Sequence, residues 1–224
     1  MSFRDRSDAG QRLASALLKY QRQPVTVLAL PRGGVPVAAK VAEALEAPLD
    51  LILVRKVGVP FQPELAMGAV VDGPTPVVVR NEDVILLTGI SDKEFKAACR
   101  RELAEIERRR KVYLAGREVA PVAGRVAIVV DDGIATGATM RAALQAIRMR
   151  NPRRMVLAVP VAPTSTLQEL RKDADEIICL EDYADFGAIG LYYADFRQTS
   201  DSEVVALLAR HPVRQTDHYV SVRS

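Results

Sequence analysis

Short, near-continuous apolar runs constrain this chain more than any other feature. They stand at residues 25–30 (VTVLAL), 49–54 (LDLILV), 126–130 (VAIVV) and 155–160 (MVLAVP). Each is too short for a helix, and none alternates apolar with polar residues as a strand with one wet face does. Runs of this kind are strands buried on both faces, the pattern of a parallel sheet covered by helices. Helical spacing recurs between them at 35–45, 137–150 and 164–172, with a further strand at 176–180 and a last helix at 200–209. A leading helix spans 8–22, with Leu13, Leu17 and Tyr20 on one stripe and Ala9 and Ala16 beside them. Helices between parallel strands predict an α/β fold: a doubly wound, mainly parallel sheet with flanking helices.

The stretch 55–81 breaks this rhythm. Glycine and proline punctuate it (VGVPFQPELAMGAVVDGPTPVVV, 57–79), leaving short extended pieces at 65–71 and 76–79. Such a stretch inside a domain predicts a functional loop or hairpin, here about 57–73. A long amphipathic helix follows at 91–114, with Phe95, Cys99, Leu103 and Ile106 on its buried face and Ser91 and Glu94 in capping-box spacing. Arg108, Arg109, Arg110 and Lys111 close that helix, where cations suit the dipole. A nucleic-acid patch is the alternative reading of the same run.

Composition works by exclusion. With 49% apolar and 26% charged residues, wholesale disorder is excluded. The 224 residues suit a single domain spanning 1–224 whose core needs no disulfide or metal staple. No apolar run approaches the roughly 18–20 residues of a membrane span. The start, MSFRDRSDAGQR, has no signal-peptide core, so a soluble, cytoplasmic protein is expected. A net charge of +3 is too balanced to advertise nucleic acid as a partner. Cys99 and Cys179 read as buried small hydrophobes. His211 and His218 lack metal-ligand spacing, which argues against zinc hydrolysis and Ser-His-Asp chemistry, and no residue is read as a direct metal ligand.

In a doubly wound sheet, ligands sit beyond the carboxyl ends of the strands. After the 126–130 strand come Asp131, Asp132, Gly133, Ile134, Ala135, Thr136, Gly137, Ala138 and Thr139, running into a helix. Small residues let the backbone approach an anion, Thr136 and Thr139 add hydroxyl donors, and a helix start favours negative charge. Two carboxylates directly upstream would repel a phosphate, so they serve something else, either ribose hydroxyls or a divalent cation. Sugar-hydroxyl acceptors one loop away from phosphate donors suit a ribose 5-phosphate. The segment has neither the lysine of a P-loop nor the glycine pattern of a dinucleotide site.

Residues 126–140 (VAIVVDDGIATGATM) resemble the phosphoribosyl-diphosphate motif of the type I phosphoribosyltransferases, and the resemblance extends over about residues 28–205. Arg32, Gly33 and Gly34, after the first strand, match that family's pyrophosphate loop. Glycines there tolerate strained backbone, including a cis non-proline peptide, and Arg32 offers a guanidinium for diphosphate oxygens. Arg55 and Lys56 resemble the pair leading into the mobile catalytic loop of adenine and orotate phosphoribosyltransferases. The family would assign Lys56 to the departing pyrophosphate and residues 58–73 to a lid carrying Gln62 and a proton acceptor, Glu64. Residues 182–196 (DYADFGAIGLYYADF) resemble the hood, expected at about 181–197 plus the C-terminal helix. Phe186, Tyr192 and Tyr193 are its rings for stacking a flat heterocycle, and Asp185 and Asp195 would face a metal or solvent.

Ala135 stands where 6-oxopurine enzymes of this family carry an aspartate, which disfavours that route to hypoxanthine or guanine salvage. The function implied is Mg²⁺-dependent transfer of ribose 5-phosphate from phosphoribosyl diphosphate to a nucleobase-like nitrogen of a small heterocyclic acceptor. Lys56, Asp131, Asp132 and Glu64 are the implied catalytic residues, and Mg²⁺ would bind mainly through the diphosphate. The family is often dimeric, which admits a homodimer. A rival reading is a phosphoribosyl-diphosphate sensor that binds nucleic acid or protein; a donor hydrolase is a third.

Overall fold

The structure, a computed structural model, describes residues 2–73 and 76–213. His218 lies outside the described residues. Strands β1 (Val25–Ala29), β2 (Leu49–Leu51), β6 (Val126–Val130), β7 (Arg154–Pro163) and β8 (Glu176–Tyr183) form one sheet in the order β2-β1-β6-β7-β8. Every neighbouring pair is parallel, with Val25 opposite Val126 and Ala29 opposite Val130 at the centre. The apolar runs do not alternate because both faces are covered. Val25, Val27, Ile128 and Val130 pack with Leu13 and Leu17 of α1 (Arg6–Leu17) and with Val37 and Val41 of α2 (Gly34–Leu45). Leu28, Ala127 and Val129 pack on the other face with Met140, Leu144 and Ile147 of α5 (Ala138–Arg148) and Leu170 of α6 (Thr164–Leu170).

The chain winds outward from β1 to β2 and then restarts at β6, on the other side of β1. The carboxyl ends of β1 and β6 therefore lie at a topological switch point, where doubly wound sheets bind their ligands. Pro31–Gly34 leave β1 there and Asp131–Asp132 leave β6.

Several sequence-based expectations need correction. The 49–54 run is divided: β2 ends at Leu51, and Val54 opens β3 (Val54–Val59) of a second sheet. With β4 (Gln62–Val71) and β5 (Val77–Arg80), β3 makes an antiparallel three-stranded sheet, so of the loop or hairpin expected at about 57–73 it is the hairpin that forms, extended by a third strand. Pro60 and Pro63 flank its exposed tip and mimic loop punctuation. Its inner face buries Val57, Val59, Met67 and Val70 against Phe95 and Cys99 of α4 (Asp92–Tyr113).

Helix α3 (Glu82–Thr88) was not expected. Its Asn81 cap and its left-handed Gly89 stop (φ 66°) are both legible. It lacks an apolar stripe, since Leu86 and Leu87 face solvent at 85% and 83% exposure. Ala14, not Ala16, completes the buried stripe of α1, and Cys179 is half-buried where Cys99 is buried. Helix α7 (Asp201–Arg210) starts at Ser200, as expected.

The Ser91–Glu94 capping box forms in full: Glu94 N–H donates to the Ser91 hydroxyl at 3.3 Å, and Ser91 N–H donates to the Glu94 carboxylate at 2.9 Å. Ser91→Ala should cost about 1 kcal/mol, a fall in Tm of roughly 2–4 °C by calorimetry. An unchanged Tm would mean that packing alone holds the start of α4.

Candidate active site

The loop after β1 and the carboxylates after β6 touch across the switch point. A Cβ on Gly33 would run into the Asp132 carboxylate, and one on Gly34 would lie 2.9 Å from Asp131 Cα. Only glycine permits this approach. The Pro31–Arg32 peptide is cis. Arg32 extends from this loop to Asp201, with Nη1 3.4 Å from Oδ1, and Tyr113 donates its hydroxyl to the same oxygen at 2.6 Å.

Asp131 Oδ1 accepts from the Asp132 N–H at 2.9 Å. Asp132 Oδ2 accepts from Arg6 Nε at 2.7 Å, and both side chains are nearly buried, at 11% and 12% exposure. The Asp132 carbonyl accepts the Tyr193 hydroxyl at 2.6 Å. Burial, then the neighbouring Asp132, pushes the Asp131 carboxyl well above the usual carboxylate range. Burial also raises Asp132, with the Arg6 guanidinium opposing it.

Residues 133–139 are braced from below and open above. Ile134 N–H donates to the Val161 carbonyl at 3.0 Å, and the Thr166 hydroxyl donates to the Ala135 carbonyl at 2.9 Å. Gly137, at φ 74°, turns the chain into α5 without a side-chain cap, so the first-turn N–H groups of that helix are left for an anion. Ala135, Thr136 and Ala138 are exposed.

A cleft of about 420 Å³ runs from the β3–β4 hairpin past α4 to the start of α5. Lys56, Glu64, Arg101 and Thr139 line it, with Arg55 held by Glu102 at 2.8 Å. Lys56 and Glu64 thus share a cleft with the end of the 133–139 loop. Arg32, Gly33, Gly34, Asp131 and Asp132 form a separate group at the other end of that loop.

The aromatic segment departs from expectation. Tyr193 is 2% exposed, packed by Phe3 and Phe196 at 5.3 and 5.0 Å, so its ring is not open to a ligand. Tyr192 already stacks on Tyr183 and Phe186 at 4.7 and 5.0 Å. These rings form a small core of their own, because the segment packs beyond the main sheet. Phe186, stacked on one ring and half-buried, is less enclosed than Tyr193. Asp185 and Asp195 are exposed, and among the described residues no group of three His, Cys, Asp or Glu side chains is placed to hold a metal.

A family model described as the phosphoribosyl transferase domain matches residues 4–197. The chain belongs to this family. It is 49% identical over 208 residues to two Mycobacterium tuberculosis proteins, Rv0571c and MT0597, provisionally named phosphoribosyl transferases. Those matches cover 93% of this chain but 46% of each relative, so the chain spans about half the length of the curated relatives it matches. The crystal structure of the Thermus thermophilus protein TT1426 superposes with a TM-score of 0.78 at 41% identity, covering 95% of this chain and 100% of that one.

Sequence reasoning missed several residues of this phosphoribosyl transferase domain that structure its site. Arg6 reaches Asp132 across 126 positions of the chain, Asp201 and Tyr113 hold Arg32, and Thr166 braces Ala135. One signal was available for Arg6: a cation in the first turn of a helix opposes the dipole and calls for another reason to be there.

The raised carboxyl of Asp131 has a consequence for stability. Its folded pKa lies above the unfolded one, so ionisation costs stability as pH rises through the folded value. Asp131→Asn removes that cost. The variant should match the wild type near pH 4 and gain in Tm on rising to neutral pH, as followed by thermal denaturation. An equal difference at both pH values would show that Asp131 ionises freely in the folded protein.

Proposed function

We propose that this domain transfers ribose 5-phosphate from phosphoribosyl diphosphate to a nitrogen of a small heterocyclic acceptor, releasing diphosphate. The observation that carries the reading is the contact of the Gly33–Gly34 loop with Asp131–Asp132, beside the uncapped start of α5. The reading calls for anion donors, sugar-hydroxyl acceptors and a second anion site close together at the switch point, and these contacts support it.

In this reading the 5-phosphate binds the backbone of residues 135–139 with Thr136 and Thr139. The ribose hydroxyls bond to Asp131 and Asp132, and the diphosphate meets Arg32, the Gly33 and Gly34 amides and Lys56. The bond from C1 to diphosphate breaks as the acceptor nitrogen bonds to C1. Carboxylates near the ring favour the positive charge that develops on the sugar, and Lys56 favours the leaving group. Glu64, which lines the same cleft as Lys56, takes the proton released by the acceptor nitrogen. Closure of the hairpin tip would exclude water, which would otherwise capture the sugar cation. Mg²⁺ takes oxygen ligands and keeps several waters, so it suits a site where the diphosphate supplies the ligands; when bound it would neutralise charge on the leaving group. The flat acceptor would lie against Phe186.

The sensor reading has weaker support. Arg108 and Arg109 both converge on Glu105, and Arg110 lies 3.4 Å from Asp72, so most of the basic run considered for nucleic acid is already paired. Among the described residues no helix is long and apolar enough to cross a membrane.

A thermal shift with Mg²⁺ and phosphoribosyl diphosphate tests the reading. At a hundredfold excess over Kd, binding adds about 2.7 kcal/mol, or roughly 5–10 °C for a chain of this size. The Asp131→Asn, Asp132→Asn double variant should lose both this shift and transfer to any nucleobase. An undiminished shift in that variant would overturn the assignment of the pair to the ribose.

A further inference from the structure

The N-terminal segment is stitched to the aromatic segment. Ser2 and Phe3 N–H groups donate to the Tyr192 carbonyl at 3.0 and 2.9 Å. Ala194 and Asp195 donate back to the Phe3 and Arg4 carbonyls at 2.9 and 2.8 Å. This seam carries Arg6 to the mouth of the switch point, where three anchors hold its guanidinium. It lies 4.0 Å over the Phe196 ring, donates through Nη1 to the Arg197 carbonyl at 2.7 Å, and donates through Nε to Asp132 Oδ2 at 2.7 Å.

Arg6 opens α1, the end at which a cation is unfavourable. Asp5 already caps that end by accepting the Asp8 N–H at 2.8 Å, so the helix has no need of Arg6. Immobilising so long a side chain also costs rotamer entropy. The beneficiary is Asp132, whose carboxylate is gripped by Arg6 and closed over by the backbone of Gly33.

We infer that Arg6 is a positioning residue for the sugar: it fixes the orientation of Asp132 so that the carboxylate pair reads the ribose hydroxyls and prefers ribose to 2-deoxyribose. This inference rests on the donor site proposed above. A site whose acceptor is held rigidly rejects a sugar lacking the matching hydroxyl, because a buried acceptor is then left unpaired.

Calorimetric titration in Mg²⁺ buffer of the wild type, Arg6→Ala and Arg6→Gln with ribose 5-phosphate, 2-deoxyribose 5-phosphate and pyrophosphate tests it. Arg6→Gln keeps a polar side chain with N–H donors, in case Arg6→Ala does not fold. The wild type should prefer ribose 5-phosphate. Arg6→Ala should bind it about tenfold more weakly or worse, with the preference over the deoxy sugar collapsing and pyrophosphate affinity unchanged. Arg6→Gln should fall between the two. Parallel losses for ribose 5-phosphate and pyrophosphate would show a merely structural role and overturn the inference. Tighter ribose 5-phosphate binding in Arg6→Ala would also overturn it, making Arg6 a competitor for Asp132. A wild type that binds none of the three ligands would instead remove the donor site itself.

Discussion

Two adjacent carboxylates at the end of a buried strand are the constraint around which this molecule is arranged. β6 is fully buried, and the chain leaving it carries Asp131 and Asp132 into a crevice of low dielectric. Placed there, two negative charges raise each other's cost and both suffer desolvation. The structure answers with one cation, Arg6, on Asp132, while burial and the neighbouring carboxylate push the Asp131 carboxyl up. Breaking a buried pair of this kind by removing one partner typically costs about 3–5 kcal/mol. A chain bears such a liability where the strained groups are used, and the crevice is where a doubly wound sheet binds its ligand.

The surrounding architecture serves that crevice. β1 and β6 are neighbours although nearly a hundred residues separate them, and the reversal of winding between them brings the loop after β1 against the carboxylates after β6. Glycines line the approach on the β1 side because any side chain at Gly33 would displace Asp132. On the other side, Val161 and Thr166 hold residues 134–135 from beneath, leaving the outer face of the loop to solvent. The second sheet and α4 set Lys56 and Glu64 in a cleft that ends at Thr139, so the two groups of site residues share one loop.

The aromatic segment shows how a small lobe obtains a core. It is too short to bury an aliphatic interior, and stacked rings of Tyr183, Phe186 and Tyr192, with Tyr193 and Phe196 around Phe3, supply one. That packing use competes with ligand stacking. It explains why aromatic residues chosen by type alone as acceptor contacts are in part structural, and why the N-terminus takes part in a lobe near the other end of the chain.

By itself the sequence determined the elements whose physics is local. Apolar runs without alternation specify strands covered on both faces, the Ser91 capping box starts its helix, and Asp131–Thr139 marks the turn from a buried strand into a helix. The family resemblance carried by 126–140 agrees with the match over residues 4–197. Tertiary structure alone decided the rest. The stretch 54–71 read as a loop or a hairpin without a choice between them because its prolines flank an exposed tip, while the pairing is stabilised by packing on Phe95 and Cys99 of a helix further along the chain. Tyr193 read as an open ring until Phe3 covered it, and Arg6 had no visible partner 126 positions away. Periodicity and capping act over a few residues and leave their mark in sequence, whereas burial and charge pairing depend on which distant segments the fold brings together.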